Sequence, residues 1–437
     1  LKGTEVKPQK LFEYDGTLVK LYGGFGEVGG NCVVVEDRDR KLVFDYGVRF
    51  SLMRRFYGGR VEPLGPVEMS NLGIVPDPTV TEGASAVYIS HLHLDHVGLL
   101  SAVDSSTRIV LPDRDVAKAT IGNWYERSHR WLAYVVPQWS STASAKLLSQ
   151  DENSVVAIPV SHSAYPAMSF LYLGRGRTLF YSGDFRLQAL VQLNPPLEEV
   201  LKKLGVDSVD VAIVEATNIG SRITLVTRSG FDEVVRSSVE VFNGVTVSVD
   251  PHDLESMLYL YRIAEESGRD VVVASERILW MLRLIYERNP KDLSRTLVAQ
   301  ELSRPPPVSV GSVSLAGEVF RDMGSYIVIA EPVHLLEILR KLKTQGMEVD
   351  LTGTVALLLD PEPRETVREV ENTVLARWLG MFGAQVLRVR FSGHYHPHHF
   401  KHLIQVLKPR RLIPVHTENP ELVLRLFEKY STSLKTH

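Results

Sequence analysis

The chain opens as short apolar runs divided by turn-forming residues. "TLVKLYGG", "NCVVVED" and "KLVFDYG" are rich in strand-forming residues and bounded by Gly, Asp or Asn, which predicts strands joined by tight turns. "SAVYIS", "SVVAIPVSHS", "MSFLYLG" and "TLFYSGD" continue the series, and "VDVAIVEATN" reads as a buried strand ending in polar residues. From about Gly220 the rhythm changes. "DEVVRSSVEVF" has helical spacing, "VTVSVD" is a strand, and "LESMLYLYRIAEESG" is a helix stopped by Gly. "DVVVAS" with "RILWMLRLIYE", then "SYIVIAEP", "HLLEILRKLKTQG", "VALLLDPEP" and a helix through Trp378 repeat the alternation. Strand alternating with helix predicts a parallel sheet with crossover helices, so the fold class is α/β. "SRPPPVSVGS" interrupts it as a loop. "AQVLRVRFSGH", a helix, "RLIPVH" and the helix "PELVLRLFEKY" close the chain.

Composition adds limits. The 437 residues exceed one ordinary core and predict two domains. With 44% hydrophobic and 23% charged residues the chain is globular. No window reaches the roughly 18 unbroken apolar residues of a membrane span. "LKGTEVKPQKLFEYDG" has no apolar signal core. Cys32 is the single cysteine, which excludes an internal disulfide framework and a thiolate zinc cage; the cytoplasm is the simplest compartment. The net charge of -3 leaves nucleic acid open, because binding a polyanion needs a local basic groove.

"GFGEVG", Gly24 to Gly29, follows a strand and matches G-x-G-x-x-G. A dinucleotide site needs a helix next, and "NCVVVED" is a strand, so a hairpin turn is the better reading. Such a loop still lets a substrate or a metal site come close to the backbone.

The dense chemistry is "SHLHLDHVG". In extended backbone, residues two apart point the same way, so His91 and His93 reach one ion together. Asp95 and His96 are turned toward a second. Imidazole mixed with carboxylate suits Zn²⁺ or Mn²⁺. Further ligands should stand at the carboxyl ends of apolar runs on the same edge. His162 after "VVAIPVS", Asp184 after "TLFYSG" and His416 after "RLIPV" do, and so does Asp45 after "KLVF". With Asp184 as a bridge, one ion takes His91, His93, His162 and Asp184. The other takes Asp95, His96, Asp184 and His416.

This pattern resembles the metallo-β-lactamase superfamily. Glu215 in "VEATN", His394 in "SGH" and His416 in "PVHTE" resemble the three further motifs of the β-CASP nucleases. With "GGFGEVGGN", "DYGV", "VSHS" and "SGDFR", the chain is similar to ribonuclease J of the compact archaeal type over nearly its whole length. The resemblance implies an αβ/βα sandwich with an inserted β-CASP domain. Residues 1–218 would form the first part of the metallo-β-lactamase domain, 219–384 the insertion, and 385–437 the last part. It further implies two metal ions, zinc or manganese, and hydrolysis of single-stranded RNA that leaves a 5′-phosphate. Asp45 would orient ligands, His394 would touch the scissile phosphate or protonate the leaving oxygen, and Glu215 would hold the His394 tautomer. A homodimer and protein partners in RNA decay are compatible with the resemblance. A β-CASP DNA nuclease, a small-molecule metallohydrolase and a non-catalytic scaffold subunit are the alternatives.

"SVDPHD" and "ASER" depart from the family's "FASN"-like and "GRSM"-like runs, which puts sensing of a 5′-monophosphate in question. Around His394, "FSGHYHPHHF" is rich in histidine. Pro397 suits the first turn of the helix that follows, where Ser392, Gly393, His396 and His399 are candidates for RNA contact. His396 and His399 are expected to gain charge below about pH 6.5. Tyr165, Phe185 and Tyr395 either stack on bases or pack the walls, Arg186 meets a phosphate or a carboxylate, and "QWSSTASAKLLSQ" is a candidate loop over the site.

Overall fold

The computed structural model describes residues 7–38, 40–58, 61–124, 130–174, 176–222, 224–287, 294–302, 310–347, 349–359 and 366–434. The loop expected at "SRPPPVSVGS" lies largely outside them. The chain divides into two units, Leu1–Ile223 with Gly393–His437, and Thr224–Ser392.

The first unit is built on two mixed sheets. One runs β1 (Lys10–Tyr14), β2 (Thr17–Gly23), β3 (Cys32–Asp37), β4 (Arg40–Phe44), β5 (Ala86–Tyr88), β6 (Arg108–Leu111), β7 (Thr142–Ser144) in spatial order. Strands β1 to β4 pair antiparallel and β4 to β7 parallel. The other contains β8 (Val155–Val160), β9 (Ala167–Gly174), β10 (Arg177–Tyr181) and β11 (Val211–Glu215), with the strand Arg411–Val415 parallel beside β11.

The apolar runs of this second sheet are continuous because both faces are buried. Val155, Ala157, Phe170, Tyr172, Leu179, Tyr181 and Ile213 face the first sheet in one core with Val33, Phe44 and Tyr88. The alternate residues Val156, Ile158, Leu171, Phe180 and Val214 pack with residues of the helices Leu197–Lys203 and Phe400–Leu407. Phe44 anchors the inner core, with ring centroids 5.5 Å from Tyr88, 5.7 Å from Phe170 and 5.3 Å from Tyr181. The architecture is the metallo-β-lactamase αβ/βα sandwich. "QWSSTASAKLLSQ" is not a free loop. Strand β7 within it pairs with β6, and Leu147 and Gln150 bridge to Ala157 and Val156 of β8.

The second unit is one all-parallel sheet. It contains β12 (Gly244–Ser248), β13 (Asp270–Val273), β14 (Thr296–Ala299), β15 (Gly311–Val313), β16 (Tyr326–Ala330), β17 (Thr354–Leu358) and β18 (Gln385–Arg388). Their spatial order is β15-β14-β13-β16-β12-β17-β18, with crossover helices as the alternation predicts. Helix boundaries follow local chemistry. Thr227 accepts the Gly230 N–H at the start of Arg228–Val241. Asp253 accepts from Ser256 N at the start of Leu254–Ser267, and Gly268, at φ 72°, stops that helix. The unit ends later than the return expected at residue 385, because β18 pairs in register with β17 and belongs to this sheet.

Candidate metal centre

The strands of the first unit bring polar side chains to one edge. Asp45 follows β4, His91 follows β5, His162 follows β8, Asp184 follows β10, Glu215 ends β11, and His416 follows Arg411–Val415. These strands point the same way, so their carboxyl ends share an edge. His93 precedes the one-turn helix Leu94–Val97, which carries Asp95 and His96.

His91, His93 and His162 converge. Nε2 of His91 lies 3.1 Å from Nδ1 of His93, and Nε2 of His162 lies 3.4 Å from that same atom. Zn–N bonds of ~2.0–2.1 Å in a tetrahedron place their nitrogens about 3.3 Å apart, so this spacing suits one ion. Asp95, His96 and His416 form a second group, with His416 Nε2 3.1 Å from Asp95 Oδ2. Asp184 stands between the two groups. Its Oδ2 is 3.1 Å from His96, 3.6 Å from His416 and 3.9 Å from His91. Its Oδ1 is buried and meets no hydrogen-bond donor among the described residues. These buried groups are able to bind metal ions.

The far side of each ring is tied down. His162 Nδ1 donates to the Gly393 carbonyl at 2.7 Å, His96 Nδ1 to Asp45 at 2.7 Å, and His416 Nδ1 to Thr217 Oγ1 at 2.7 Å. Each Nε2 therefore keeps its lone pair for the centre. Asp45 is saturated: it also accepts from Ser90 N at 2.6 Å, Ser90 Oγ at 2.7 Å and Tyr181 OH at 2.6 Å. It orients His96 and has little left for an ion.

The electrostatics suit cations. Burial, then His96, His162 and His93, holds the His91 imidazole well below its usual value, and burial does the same to His162. Burial also opposes charge on Asp184, but His416, His96 and His394 outweigh it and lower its pKa. Asp95 is lowered against burial by His96 and His416. Burial opposes the His96 charge too, yet Asp184, Asp45 and Asp95 raise it.

Glu215 and His394 meet beside this cluster. His394 Nδ1 lies 3.3 Å from Glu215 Oε1 and 3.2 Å from Thr217 Oγ1. Thr217 gives its single hydroxyl proton to Glu215 Oε2 at 2.8 Å, so its oxygen accepts from His416. Thr217 thus links the His394 pair to a metal-ligand candidate. His394 Nδ1 is also 3.8 Å from Asp184 Oδ2.

The remaining candidates sit less favourably for RNA. Gly393 uses its carbonyl on His162, and a Cβ there would lie 2.2 Å from Ser163 Oγ, which explains the glycine. Ser392 is buried at the end of the other unit. His396 precedes the tight turn Pro397–His399 that leads into helix Phe400–Leu407. The expected gain of charge on His396 and His399 near pH 6.5 does not hold. Burial and then His398 lower both, His399 to about 4. Phe185 and Tyr395 are wall residues rather than stacking platforms: both are buried in the core, and Tyr395 OH donates to the Glu215 carbonyl at 2.6 Å. Arg186 is buried too, and Tyr165 is half-buried. Sequence reasoning missed Ser90, Thr217, Tyr181 and Asn31. Ser90 and Thr217 stood inside quoted motifs, but only their hydrogen bonds give them roles.

No protein-family model matches the chain. It is 21% identical over 434 residues to ribonuclease J of Pyrococcus abyssi, covering 92% of this chain and 90% of that one. It is 23% identical to ribonuclease J 1 of Streptococcus pyogenes, covering 91% of this chain and 68% of the relative. Against ribonuclease J of Helicobacter pylori the identity is 21%, and the chain spans 55% of that protein. A crystal structure of a protein of unknown function from Enterococcus faecalis V583 shares the fold, with a TM-score of 0.69, 18% identity, and coverage of 93% and 95%. The chain is therefore a distant homologue of the ribonuclease J proteins, similar in extent to the archaeal one.

Proposed function

We propose that this protein is a two-metal ribonuclease that hydrolyses phosphodiester bonds of single-stranded RNA. The observation that carries the reading is the position of Asp184 between two buried ligand groups, with the Glu215–His394 pair alongside. His91, His93 and His162 would hold one ion, Asp95, His96 and His416 the other, and Asp184 both. Bound there, zinc or manganese supplies Lewis acidity for water activation and for charge on the phosphate. The chain's own groups do the rest. Asp45, Gly393 and Thr217 fix the ligand rings. Thr217 Oγ1 accepts from Nδ1 of His394 with Glu215 alongside, which would leave Nε2 for the scissile phosphate or for a proton to the departing 3′ oxygen. RNA is favoured over DNA because the resemblance ties valine at the final ligand to DNA specificity, and His416 fills that place here.

The test is product analysis on end-labelled RNA and DNA strands with zinc- or manganese-loaded protein. Cleavage of RNA to 5′-phosphorylated products supports the reading. Cleavage of DNA alone makes the protein a DNA nuclease, and no cleavage of either refutes a nuclease role. Comparing 5′-phosphorylated with 5′-hydroxyl RNA separates exonuclease from endonuclease action, since equal rates mean internal cutting.

A further inference from the structure

Asn31 lies outside the ligand set yet rests against it. Its side chain is 1% exposed, and Nδ2 stands 3.0 Å from Nε2 of His96. Its backbone is pinned on both sides: N–H donates to the Asp95 carbonyl at 2.9 Å, and its carbonyl accepts from Gly47 N at 2.8 Å. The glycines of "GGFGEVGGN" wall it in. A Cβ on Gly24 would fall 2.3 Å from Asn31 Oδ1, and one on Gly23 would fall 1.8 Å from the Gly30 carbonyl oxygen. That is a structural reason for a glycine-rich loop that cradles no nucleotide.

The contact matters because His96 has one nitrogen to offer. Nδ1 is committed to Asp45, so an ion can reach the ring only through Nε2. Asn31 already occupies that approach. When the imidazole is neutral, Nδ2 donates to the lone pair. When it carries a second proton, Nε2 has Asp184 Oδ2 at 3.1 Å as its acceptor. In the neutral state an incoming ion has to displace the carboxamide, whose Oδ1 is already buried without a hydrogen-bond partner among the described residues.

We propose that Asn31 is an internal competitor for metal. It makes the Asp95–His96–His416 half of the centre the weaker and more selective site. The inference rests on the metal-centre reading above. Stranding a buried amide adds a fixed penalty to each binding event at this half. Ions that bind imidazole tightly, such as Zn²⁺, overcome it at concentrations where Mg²⁺ leaves the site empty. In the other half, His91 and His162 converge on His93, His91 lies 3.9 Å from Asp184, and no amide contact is seen among the described residues.

The experiment is titration of metal-free protein with Zn²⁺ against a competing chelator, read calorimetrically and without RNA. Asn31→Ala should tighten the weaker step roughly ten- to a hundred-fold, the size expected for removing one stranded buried group, and leave the stronger step unchanged. Repeating the comparison in a His93→Ala background isolates the Asp95 half. Asn31→Ser, too short to reach His96, should behave like Asn31→Ala and serves if alanine disturbs folding. An unchanged or weakened second step overturns the proposal. Protein that takes up no Zn²⁺ at all would instead sink the metal-centre reading.

Discussion

Oδ2 of Asp45 lies 2.7 Å from Nδ1 of His96, and both side chains are fully buried. The same oxygen accepts from Ser90 Oγ and Tyr181 OH, so one carboxylate sets the tautomer of His96, a ligand candidate, and the position of two walls. Asp45→Ala frees the ring to place its proton on Nε2, where an ion has to bind. Affinity for metal at the Asp95–His96–His416 half should fall about 10–100-fold, the usual cost of losing such an orienting partner. Competition titration measures this, with the three-histidine half as internal control. Equal affinities in variant and parent would remove Asp45 from the orienting role.

His394→Ala should lower RNA turnover by roughly 10²–10⁴-fold, the range of a lost general acid. Metal content, measured by elemental analysis, should stay at the parent value. Loss of one equivalent would instead make His394 a ligand, through the grouping of Asp184, His394 and His416. Thr217→Val should weaken both functions, because its hydroxyl contacts His394 and His416 alike.

The histidine-rich turn gives a prediction opposite in sense to its composition. His399 is pushed down to about 4, so it is neutral at both pH 6 and pH 8, and His396 is shifted the same way. Substituting both with Gln should therefore change RNA affinity equally at the two pH values. A larger loss at pH 6 would show that these rings carry charge after all.

In the second unit, Glu331 accepts from Ser275 Oγ at 2.5 Å and lies 2.8 Å from His334 and 3.2 Å from Arg277. Burial opposes the His334 charge, but Glu331 outweighs it and raises the pKa above 6.5. Stability from this pair is complete below that unfolded value and is lost as pH rises through the folded one. Glu331 is lowered, again against burial, by His334 and Arg277, so its share holds above about 4.5 and fades on acidification. His334→Gln should lower the melting temperature more at pH 6 than at pH 9. An equal drop at both would leave His334 without a charged role.

Much of this was legible in the chain. His91, His162, Asp184 and His416 each follow an unbroken apolar run, and a buried strand has to end where polar residues resume. Asp45 was found by the same rule. Thr217 and Tyr181 were not. Tyr181 reaches Asp45 across 136 positions, and Thr217 reaches His394 and His416 across 177 and 199, and no spacing reveals that. Asn31 was hidden for another reason: it headed the strand run "NCVVVED", and only the close approach of Gly24 shows how tightly it is held. The charge on His396 and His399 was misjudged because burial does not show in a string of polar letters. The end of the second unit was placed too early because "AQVLRVRFSGH" holds a strand and the His394 motif without a break between them.

Asp95 and His416 share a hydrogen bond across 321 positions. The strand that carries His416 pairs with β11, and the whole of the second unit is encoded between them. A ribosome therefore has to release Arg411–Val415 before the centre can close. Until then the emerging polypeptide lacks His416 and the strand that positions it. If the protein cuts RNA as proposed, the order of synthesis would act as a safety catch, released only when nearly all of these residues have been translated.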